Sequence, residues 1–505
     1  MSKIVFISPS VYGNSASKSG EPDIMHFLQG NKKALLPQLA PMVLAALTPS
    51  KHSFIYIDEE IEDIDFDKAG VDLVALTATT AQADRAYAIA GEFRKRGVTV
   101  VMGGVHATVL PDEASLHADA VCVGEGENIW PAMLEDFEAG ALKPRYASKD
   151  YPSVTKLVSP RVDIVKHECY SMFPVMATKG CPNDCDFCSI RHTGGHRILM
   201  KPVEQVMAEI AELEQYNKSP LKKYYMFFDD NLYINRDYTM KLFTALKDMR
   251  IHWNGHGTLN TAKDDEVLDL MAGSGCRFFF IGFESISEAS LKEVNKAKSN
   301  RVGEYEAAIM NLNRRGIIPA GYFIFGFDND DKDVFKNTLD FMLSKHIMHP
   351  YIGIMTPFPG TRLYDRIKER ITVEEWKYYT GLKTVFAPVK MTGDELDSGF
   401  LWINKEVRQI TAVKRQLEYF WSQGPWPSNP RLRLWERAFL LLVALKLGQK
   451  KQYKQYKDFV LWAAAHRNAS DLFTIIGLIV YIDMQGIKKQ IPIRVNAGVQ
   501  AGTLA

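Results

Sequence analysis

The stretch "VDLVALTATTAQADRAYAIAGEFRKRGVTVVMGG", Val71 to Gly104, has the pattern of a strand, a helix and a second strand. Its two ends are short runs rich in β-branched residues, as buried strands are. The middle, "QADRAYAIAGEFRKRG", has apolar residues at helical spacing and ends in a glycine. The runs "KIVFISPS", "SFIYIDEE" and "DAVCVGEG" continue the alternation on either side. The pattern predicts an α/β domain over residues 1–145, with a doubly wound, Rossmann-like parallel sheet.

Small residues and glycines follow the predicted strands of this domain, in "TATTAQ", "GGVHAT" and "GEGE". Ligands of doubly wound sheets bind beyond the carboxyl ends of the strands. Residues without bulky side chains let a ligand or its phosphate approach the backbone there. The alternative is that these glycines only make tight turns between strands and helices.

A second alternating region follows a connector at residues 146–166. Residues 167–370 contain six further strand candidates separated by helical stretches: "PVMAT", "YYMFFDD", "WNGHGTL", "CRFFFIGFES", "AGYFIFGF" and "YIGIMTPFPG". Six such units in series predict a partial, TIM-like (β/α)6 barrel, whose site residues lie at the carboxyl ends of the strands. We expect residues 371–490 to be mainly helical and residues 491–505 to form a tail.

The composition limits the kind of protein. With 505 residues and 46% hydrophobic content, the chain is long enough for several globular domains. Its net charge of +1 gives no reason to expect a nucleic-acid partner. No run reaches the ~18 apolar residues that read as a membrane span. Six cysteines without disulfide spacing, and a strand-like start rather than a signal peptide, predict a cytoplasmic location.

Three of the six cysteines lie together in "CPNDCDFC", at Cys181, Cys185 and Cys188. A structural zinc site is closed by four ligands, usually in two Cys-x2-Cys pairs, and only one such pair is present. His192 and His196 are close enough in sequence to keep zinc as an alternative. A [4Fe–4S] cluster is held by thiolates and can leave one iron free for a substrate or cofactor. The spacing therefore favours a cluster over zinc.

With an aromatic residue before its last cysteine, "CPNDCDFC" resembles the signature of the radical S-adenosylmethionine (SAM) enzymes. In that family three thiolates hold a [4Fe–4S] cluster whose unique iron binds the amino and carboxylate groups of SAM. Electron transfer then cleaves SAM to a 5′-deoxyadenosyl radical, which abstracts a substrate hydrogen. The resemblance also implies an external electron donor of the flavodoxin or ferredoxin type.

Four later motifs, "FFDDN", "IGFES", "GYFIFGF" and "TPFPGTRLYD", resemble the family in order and position. A carboxylate at a strand end is by itself more often a helix cap, but carboxylates also suit a cationic amine and ribose hydroxyls. The resemblance implies that Asp229 and Asp230 face the SAM amino group and that Glu284 reaches its ribose. It also implies an adenine contact along the strand that contains Gly321, Phe325 and Gly326.

The segment "VMGGVHATVLPDEASLHADAVCVGEGENIWPAML" resembles the cobalamin-binding domain that precedes the barrel in one radical SAM subgroup. The resemblance implies a set of corrin contacts: Thr77, Gly103, Gly104, His106, Gly124 and Glu125. The chain departs from the Asp-x-His-x-x-Gly motif of many cobalamin domains, because Glu60 in "IDEEIED" stands where their cobalt-ligating histidine would be. Together the two resemblances cover roughly Lys3 to Val407 and imply cobalamin as a third cofactor.

The leading hypothesis is a cobalamin-dependent radical SAM C-methyltransferase that acts on an unactivated carbon of a hydrophobic, lipid-like or isoprenoid substrate. The alternative is a radical oxidoreductase, cyclase or C–C coupling enzyme for a tetrapyrrole or membrane lipid, without methyl transfer. A methylthiotransferase is disfavoured because the N-terminal domain lacks the three additional cluster cysteines that enzymes of that class carry. A third hypothesis is a non-catalytic zinc or redox-binding module. The substrate and the catalytic residues that touch it are not readable from the sequence.

The C-terminal region is basic. Eight Lys/Arg and one Glu lie between Arg431 and Lys457, among apolar runs and tryptophans such as Trp435 and Trp462. A basic helix with apolar runs and tryptophans can lie on an anionic membrane surface. The competing interpretation is that its apolar face packs on the barrel while the lysines are solvated.

Overall fold

The computed structural model describes residues 1–11, 34–147, 157–190, 198–217, 224–423, 440–449 and 453–465. Several sequence features lie outside these residues. They are the two histidines that kept zinc open, His192 and His196, together with Trp435 and the predicted tail.

The first sheet has six strands in the order β2-β1-β3-β4-β5-β6, and every neighbouring pair is parallel. The strands are β1 (Lys3–Ser8), β2 (Ser53–Asp58), β3 (Leu73–Thr77), β4 (Thr99–Gly103), β5 (Ala120–Val123) and β6 (Arg145–Ala147). The predicted doubly wound sheet is confirmed. The strand order reverses between β1 and β3, and this is the position at which such sheets bind ligands. Strand β6 extends the sheet past residue 145, where we expected the connector to begin.

Both faces of this sheet are covered. Along β1, Ile4 and Phe6 belong to one buried cluster, while Val5 and Ile7 belong to the other. Strands buried on both faces have continuous apolar sequences, which is why "KIVFIS" shows no polar alternation. The helices of this domain are Leu39–Leu47, Ala83–Lys95, Val105–Val109, Pro111–Ser115 and Gly126–Glu138.

The second sheet is the predicted partial barrel. Its strands are β7 (Met172–Val175), β10 (Tyr224–Phe227), β11 (Trp253–Gly257), β12 (Cys276–Glu284), β13 (Ile318–Phe325) and β14 (His349–Ile354). They are parallel and follow one another in chain order across the sheet. A short antiparallel pair, β8 (Thr178–Lys179) and β9 (Leu199–Met200), lies between β7 and β10. The three-cysteine segment begins directly after β8.

Helices follow the barrel strands and then form the C-terminal part. The barrel helices are Val203–Glu214, Arg236–Met249, Asp265–Gly273, Glu288–Glu293, Tyr305–Arg314, Asp333–Ser344 and Arg362–Ile367. The later helices are Gly393–Val407, Ile410–Gln423 and Lys454–Ala465, which confirms a helical C-terminal region. Among the described residues, no helix is long and apolar enough to cross a bilayer. The domain limits expected near residues 167, 370 and 490 stay predictions.

The two sheets share one hydrophobic core that runs from β1 into the barrel. A polar contact lies within this junction: Tyr170 Oη, just before β7, donates to Asp58 Oδ2 at 2.7 Å. On another side, the single turn Trp376–Tyr378 packs on the helix Ala83–Lys95. The barrel and the N-terminal sheet are therefore in direct contact, both before β7 and after β14.

Candidate active site

The three cysteines lie in a loop at the carboxyl end of β7, and two carboxylates hold the start of this loop. Asp229 follows β10 and accepts hydrogen bonds from Thr178 Oγ1 at 2.7 Å and from Ala177 N at 3.3 Å. Asp230 accepts one from Gly180 N at 2.7 Å. Burial raises the pKa of Asp229 to about 7, while these hydrogen bonds lower it. Both oxygens of Asp229 are thus used to shape the backbone that leads to Cys181.

The middle of the loop is held by residues that follow the helix Glu288–Glu293 and by the first residue of the helix Arg362–Ile367. Asn295 Nδ2 donates to Asp184 O at 2.8 Å, and Asp186 N donates to Val294 O at 3.1 Å. Arg362 reaches both carboxylates of the loop, with Nη1 2.7 Å from Asp184 Oδ2 and Nε 2.8 Å from Asp186 Oδ1. Arg362 belongs to the "TPFPGTRLYD" motif. The structure shows that this motif supports the cysteine loop.

A cavity of about 460 Å³ opens beside the loop. The predicted residues that line it are Cys181, Cys185, Cys188, Asp229, Asp230 and Glu284. In the described part of the chain, no three Cys, His, Asp or Glu side chains are grouped so that they could hold a metal ion. A [4Fe–4S] cluster does not need thiols that converge on one point, because each thiolate binds a different iron.

The surroundings of the thiols shift the pKa of two of them, and a lysine lies near both. Burial raises the pKa of Cys188 to about 11 and also raises that of Cys185, while the Lys296 ammonium lowers both. Metal coordination deprotonates such thiols. The site therefore offers three thiols at the carboxyl end of a barrel, beside a buried cation.

Glu284 ends β12 in an unusual conformation. Its φ is +64°, in the left-handed region, and the pairing of β12 with β13 shifts at this point. Its Oε1 lies 3.1 Å from Lys296 Nζ. Gly282 makes room for this side chain, because a Cβ at Gly282 would lie 2.1 Å from Glu284 Oε1. Strained backbone of this kind clusters at functional sites, where the surrounding structure holds it in place.

Sequence reasoning singled out neither Lys296 nor His256, which line this cavity, and Tyr322 of the expected adenine strand lines it too. His256 Nε2 lies 3.2 Å from Tyr322 Oη and Nδ1 lies 3.3 Å from Phe227 O. Burial lowers the pKa of His256, which keeps the ring neutral. His256 stands near the end of a predicted strand, so the strand-end rule could have identified it. Lys296 follows a helix and carried no signal in the sequence.

Most of the residues expected to contact adenine are not among those that line the thiol cavity. Tyr322 from β13 reaches the cavity, but Gly321, Phe325 and Gly326 are not among the residues that line it. The amides of Gly326 and Phe327 donate to Asp330 Oδ2 at 3.0 and 3.1 Å, and Phe325 is buried in the core. The amides of Gly326 and Phe327 therefore close the turn after β13, and the adenine contact of Gly321, Phe325 and Gly326 stays a prediction.

A second cavity, of about 350 Å³, lies at the carboxyl ends of β3, β4 and β5. Five of the expected corrin contacts line it: Thr77, Gly103, Gly104, Gly124 and Glu125. Two of the glycines have positive φ, +91° at Gly104 and +98° at Gly124. A Cβ at Gly104 would lie 2.7 Å from Thr77 Oγ1 and 2.8 Å from Ala78 N. Gly104 is therefore required by close packing against Thr77 and Ala78, and glycines form part of a cavity wall that also contains apolar side chains such as Leu39 and Trp130.

Two barrel residues, Met176 and Lys179, also line this second cavity. The Lys179 ammonium contacts the Glu125 carboxylate and lies 3.5 Å from Glu127 Oε1. Burial raises the pKa of Glu125, while the nearby Lys179 charge lowers it. The barrel therefore closes one side of a cavity that otherwise belongs to the N-terminal domain.

The remaining two positions discussed for cobalamin lie elsewhere. His106 is not among the residues that line the cavity, and its expected corrin contact stays a prediction. Its ring is buried, with Nε2 2.8 Å from Tyr87 Oη and its centroid 5.4 Å from that of Trp376. Glu60 is exposed and also does not line the cavity.

Two family models match the parts of the chain that contain most of the residues lining the two cavities. The family model "Radical SAM superfamily" matches residues 175–342, and the model "B12 binding domain" matches residues 36–134. Bacteriochlorophyllide d C-12(1)-methyltransferase of Chlorobaculum tepidum is 33% identical over 385 residues, which cover 75% of this chain and 84% of the relative. The C-8(2)-methyltransferase of the same organism is 34% identical over 369 residues, covering 70% and 81%.

Among solved structures, the cobalamin-dependent SAM radical enzyme OxsB shares the fold, with a TM-score of 0.62 at 14% identity and coverage of 100% of this chain and 82% of OxsB. The chain therefore belongs to the radical SAM superfamily, an enzyme family that uses a [4Fe–4S] cluster and SAM, and it carries a B12-binding domain ahead of its radical SAM domain.

Proposed function

We propose that this enzyme is a cobalamin-dependent C-methyltransferase that acts on an unactivated carbon of a chlorin-type substrate. The observation that carries the proposal is the pair of cavities. One contains three thiols, the other is walled by glycines, and Lys179 lines the second while standing two residues before Cys181. A methyl donor and a hydrogen-abstracting radical must address the same carbon, and this arrangement brings their sites together.

Cys181, Cys185 and Cys188 would hold the cluster, which when bound supplies the electron that cleaves SAM to the 5′-deoxyadenosyl radical. Asp230 and Glu284 line the same cavity and offer acceptors for the SAM amine and ribose. Lys296 offers a buried cation for the SAM carboxylate, which such a charge attracts. Asp229 acts indirectly, because its oxygens accept hydrogen bonds from Ala177 and Thr178 and so hold the start of the cysteine loop.

The glycine-walled cavity would hold cobalamin, which when bound carries the methyl group. Thr77, Gly103, Gly104 and Gly124 shape the wall, and Glu125 supplies a carboxylate in it. Neither Glu60 nor His106 lines this cavity, so the proposal assigns no cobalt ligand to either side chain. The chain's own contribution is shape, exclusion of water and hydrogen bonding.

Support for a chlorin comes from two sources. The two relatives above are named for methylation of bacteriochlorophyllide d. In the thiol cavity, Phe280 and Tyr322 have ring centroids 5.7 Å apart, and Phe228 has 42% of its surface exposed. Aromatic side chains provide flat apolar area for a planar macrocycle. An external donor of the flavodoxin or ferredoxin type completes the proposal.

The test is anaerobic reconstitution with iron, sulfide and hydroxocobalamin, followed by reaction with SAM deuterated in its methyl group. Bacteriochlorophyllide d serves as the probe substrate, with dithionite as reductant. We expect 5′-deoxyadenosine together with a product that carries the labelled methyl group, read by mass spectrometry. 5′-Deoxyadenosine with a product that lacks the label would support the alternative of radical cyclisation or oxidation instead.

We also propose that the C-terminal region contacts an anionic membrane. On residues 440–448, Leu441, Leu442 and Leu445 are 49, 62 and 66% exposed, and Lys446 lies beside them. Leucines flanked by basic residues bind anionic lipid surfaces. Co-flotation with phosphatidylglycerol vesicles, compared with neutral phosphatidylcholine vesicles, tests this. Equal flotation of a Leu442→Glu/Leu445→Glu variant and the parent protein would contradict it.

A further inference from the structure

Lys179 lies in a backbone segment that is held by hydrogen bonds beside the cysteine loop, and its side chain reaches the N-terminal cavity. Its neighbours in the chain are both held: Thr178 by Asp229, and Gly180 by Asp230. Its side chain leaves the barrel and contacts Glu125 at the start of the helix Gly126–Glu138. A movement of the cysteine loop would therefore move the ammonium that touches the wall of the glycine-walled cavity.

The charges of this contact do not balance among the described residues that form it. One ammonium, of Lys179, meets two carboxylates, those of Glu125 and Glu127, and all three side chains are less than 20% exposed. Glu125 Oε1 is buried and has no hydrogen-bond partner within the described structure. A buried carboxylate oxygen without a donor is costly. Since Glu125 lines the cavity, a donor carried by the cavity's occupant would remove this cost.

We propose that Lys179, Glu125 and Glu127 form a positioning clamp between the two cofactors. Glu125 accepts an N–H from a primary amide at the rim of the bound corrinoid, and Lys179 ties that carboxylate to the loop that holds the cluster. The clamp rests on the proposed function, because it assigns a contact to the cobalamin of that function. Its effect is to fix the corrinoid relative to the cysteine loop without touching the reacting atoms.

The experiment measures hydroxocobalamin affinity of the anaerobically reconstituted full-length protein by absorbance. Glu125→Gln and Lys179→Met are compared with the unaltered chain. Lys166→Met is the matched control, because Lys166 pairs with Glu62 of the N-terminal domain but neither residue lines either cavity. A second readout is the magnetic coupling between cob(II)alamin and the reduced cluster, recorded by electron paramagnetic resonance.

We expect Glu125→Gln to bind the corrinoid roughly ten- to a hundred-fold more weakly, as the loss of a charge-assisted hydrogen bond implies. Lys179→Met should alter the magnetic coupling, Lys179→Arg should restore it, and Lys166→Met should behave like the unaltered protein. Iron content should persist in Glu125→Gln, since Glu125 does not line the thiol cavity.

Unchanged affinity in Glu125→Gln together with unchanged coupling in Lys179→Met would overturn the clamp and leave the proposed function standing. Failure of the unaltered, cluster-loaded protein to bind hydroxocobalamin would instead refute the proposed function. If Lys179→Met loses its iron, the Glu125→Gln affinity decides the matter, because this substitution leaves the cysteine loop unchanged.

Discussion

Lys296 Nζ lies 3.1 Å from Glu284 Oε1, inside the cavity that the three cysteines share. Both side chains are about nine-tenths buried, at 11% and 8% exposure. The carboxylate reaches this position because Glu284 adopts a left-handed backbone and residue 282 is a glycine. The pair thus places one positive and one negative group beside the thiols, which suits the zwitterionic amino-acid end of SAM and its ribose.

Removing one member of this ion pair should lower the stability of the protein. Lys296→Met leaves the buried Glu284 carboxylate without its cation, and we expect a loss of about 3–5 kcal/mol of stability. The double variant Glu284→Gln/Lys296→Met removes both charges and should recover most of that loss. Thermal unfolding midpoints of the two variants and the parent protein test the prediction. Equal midpoints for the single and double variants would show that the pair is not coupled.

The cluster assignment predicts a selective effect of cysteine replacement. Cys185→Ala should lose the iron cluster and all formation of 5′-deoxyadenosine, because two thiolates do not hold the cluster that this family requires. Cys169→Ala is the control, since Cys169 lies outside the loop and does not line the thiol cavity. Iron analysis and chromatography of the SAM products give the readout. Retained SAM cleavage in Cys185→Ala would refute the assignment.

Corrinoid binding should depend on the close packing of Gly104 against Thr77 and Ala78 at the N-terminal cavity. Gly104→Val places a Cβ within 2.8 Å of Thr77 Oγ1 and Ala78 N, in a backbone conformation with φ of +91°. We expect this variant to retain little corrinoid absorbance after desalting. Gly91→Ala in the same domain is the matched control, because a Cβ there meets nothing within 4 Å. Full retention by Gly104→Val would remove the cavity from consideration as the cobalamin site.

The stability of the barrel should fall in mild acid because of His349. Burial lowers the pKa of this histidine from 6.5 to about 3. Between those values the unfolded chain binds more protons than the folded one, so stability is present above pH 6.5 and is lost as the pH falls. The slope from this one group is at most about 1.4 kcal/mol per pH unit.

His349→Leu should flatten this dependence between pH 6.5 and 5. The measurement is the thermal unfolding midpoint of both proteins across that range, with the difference between them taken at each pH. Parallel curves for the variant and the parent protein would show that His349 does not titrate in the unfolding transition.

Sequence reasoning succeeded where a pattern is local. The spacing of Cys181, Cys185 and Cys188 identified the thiol loop, and the apolar runs identified the parallel strands that the structure contains. It is less informative where one backbone can serve several purposes. Phe325 and Gly326 follow the expected motif, yet their turn is closed by Asp330 instead of facing the cavity. His106 likewise stands in a glycine-rich loop, but its side chain turns towards Trp376.

The sequence by itself determined the α/β order of the domains, the three-thiol loop and the glycines of the N-terminal cavity. These follow from hydrophobic periodicity and from short spacings, which act between near neighbours in the chain. Only the tertiary structure decided that Lys296 joins Glu284 and that Lys179 of the barrel meets Glu125 of the other domain. A side-chain contact across two domains depends on how the sheets pack, and burial, which sets the strength of such charges, exists only after they have packed.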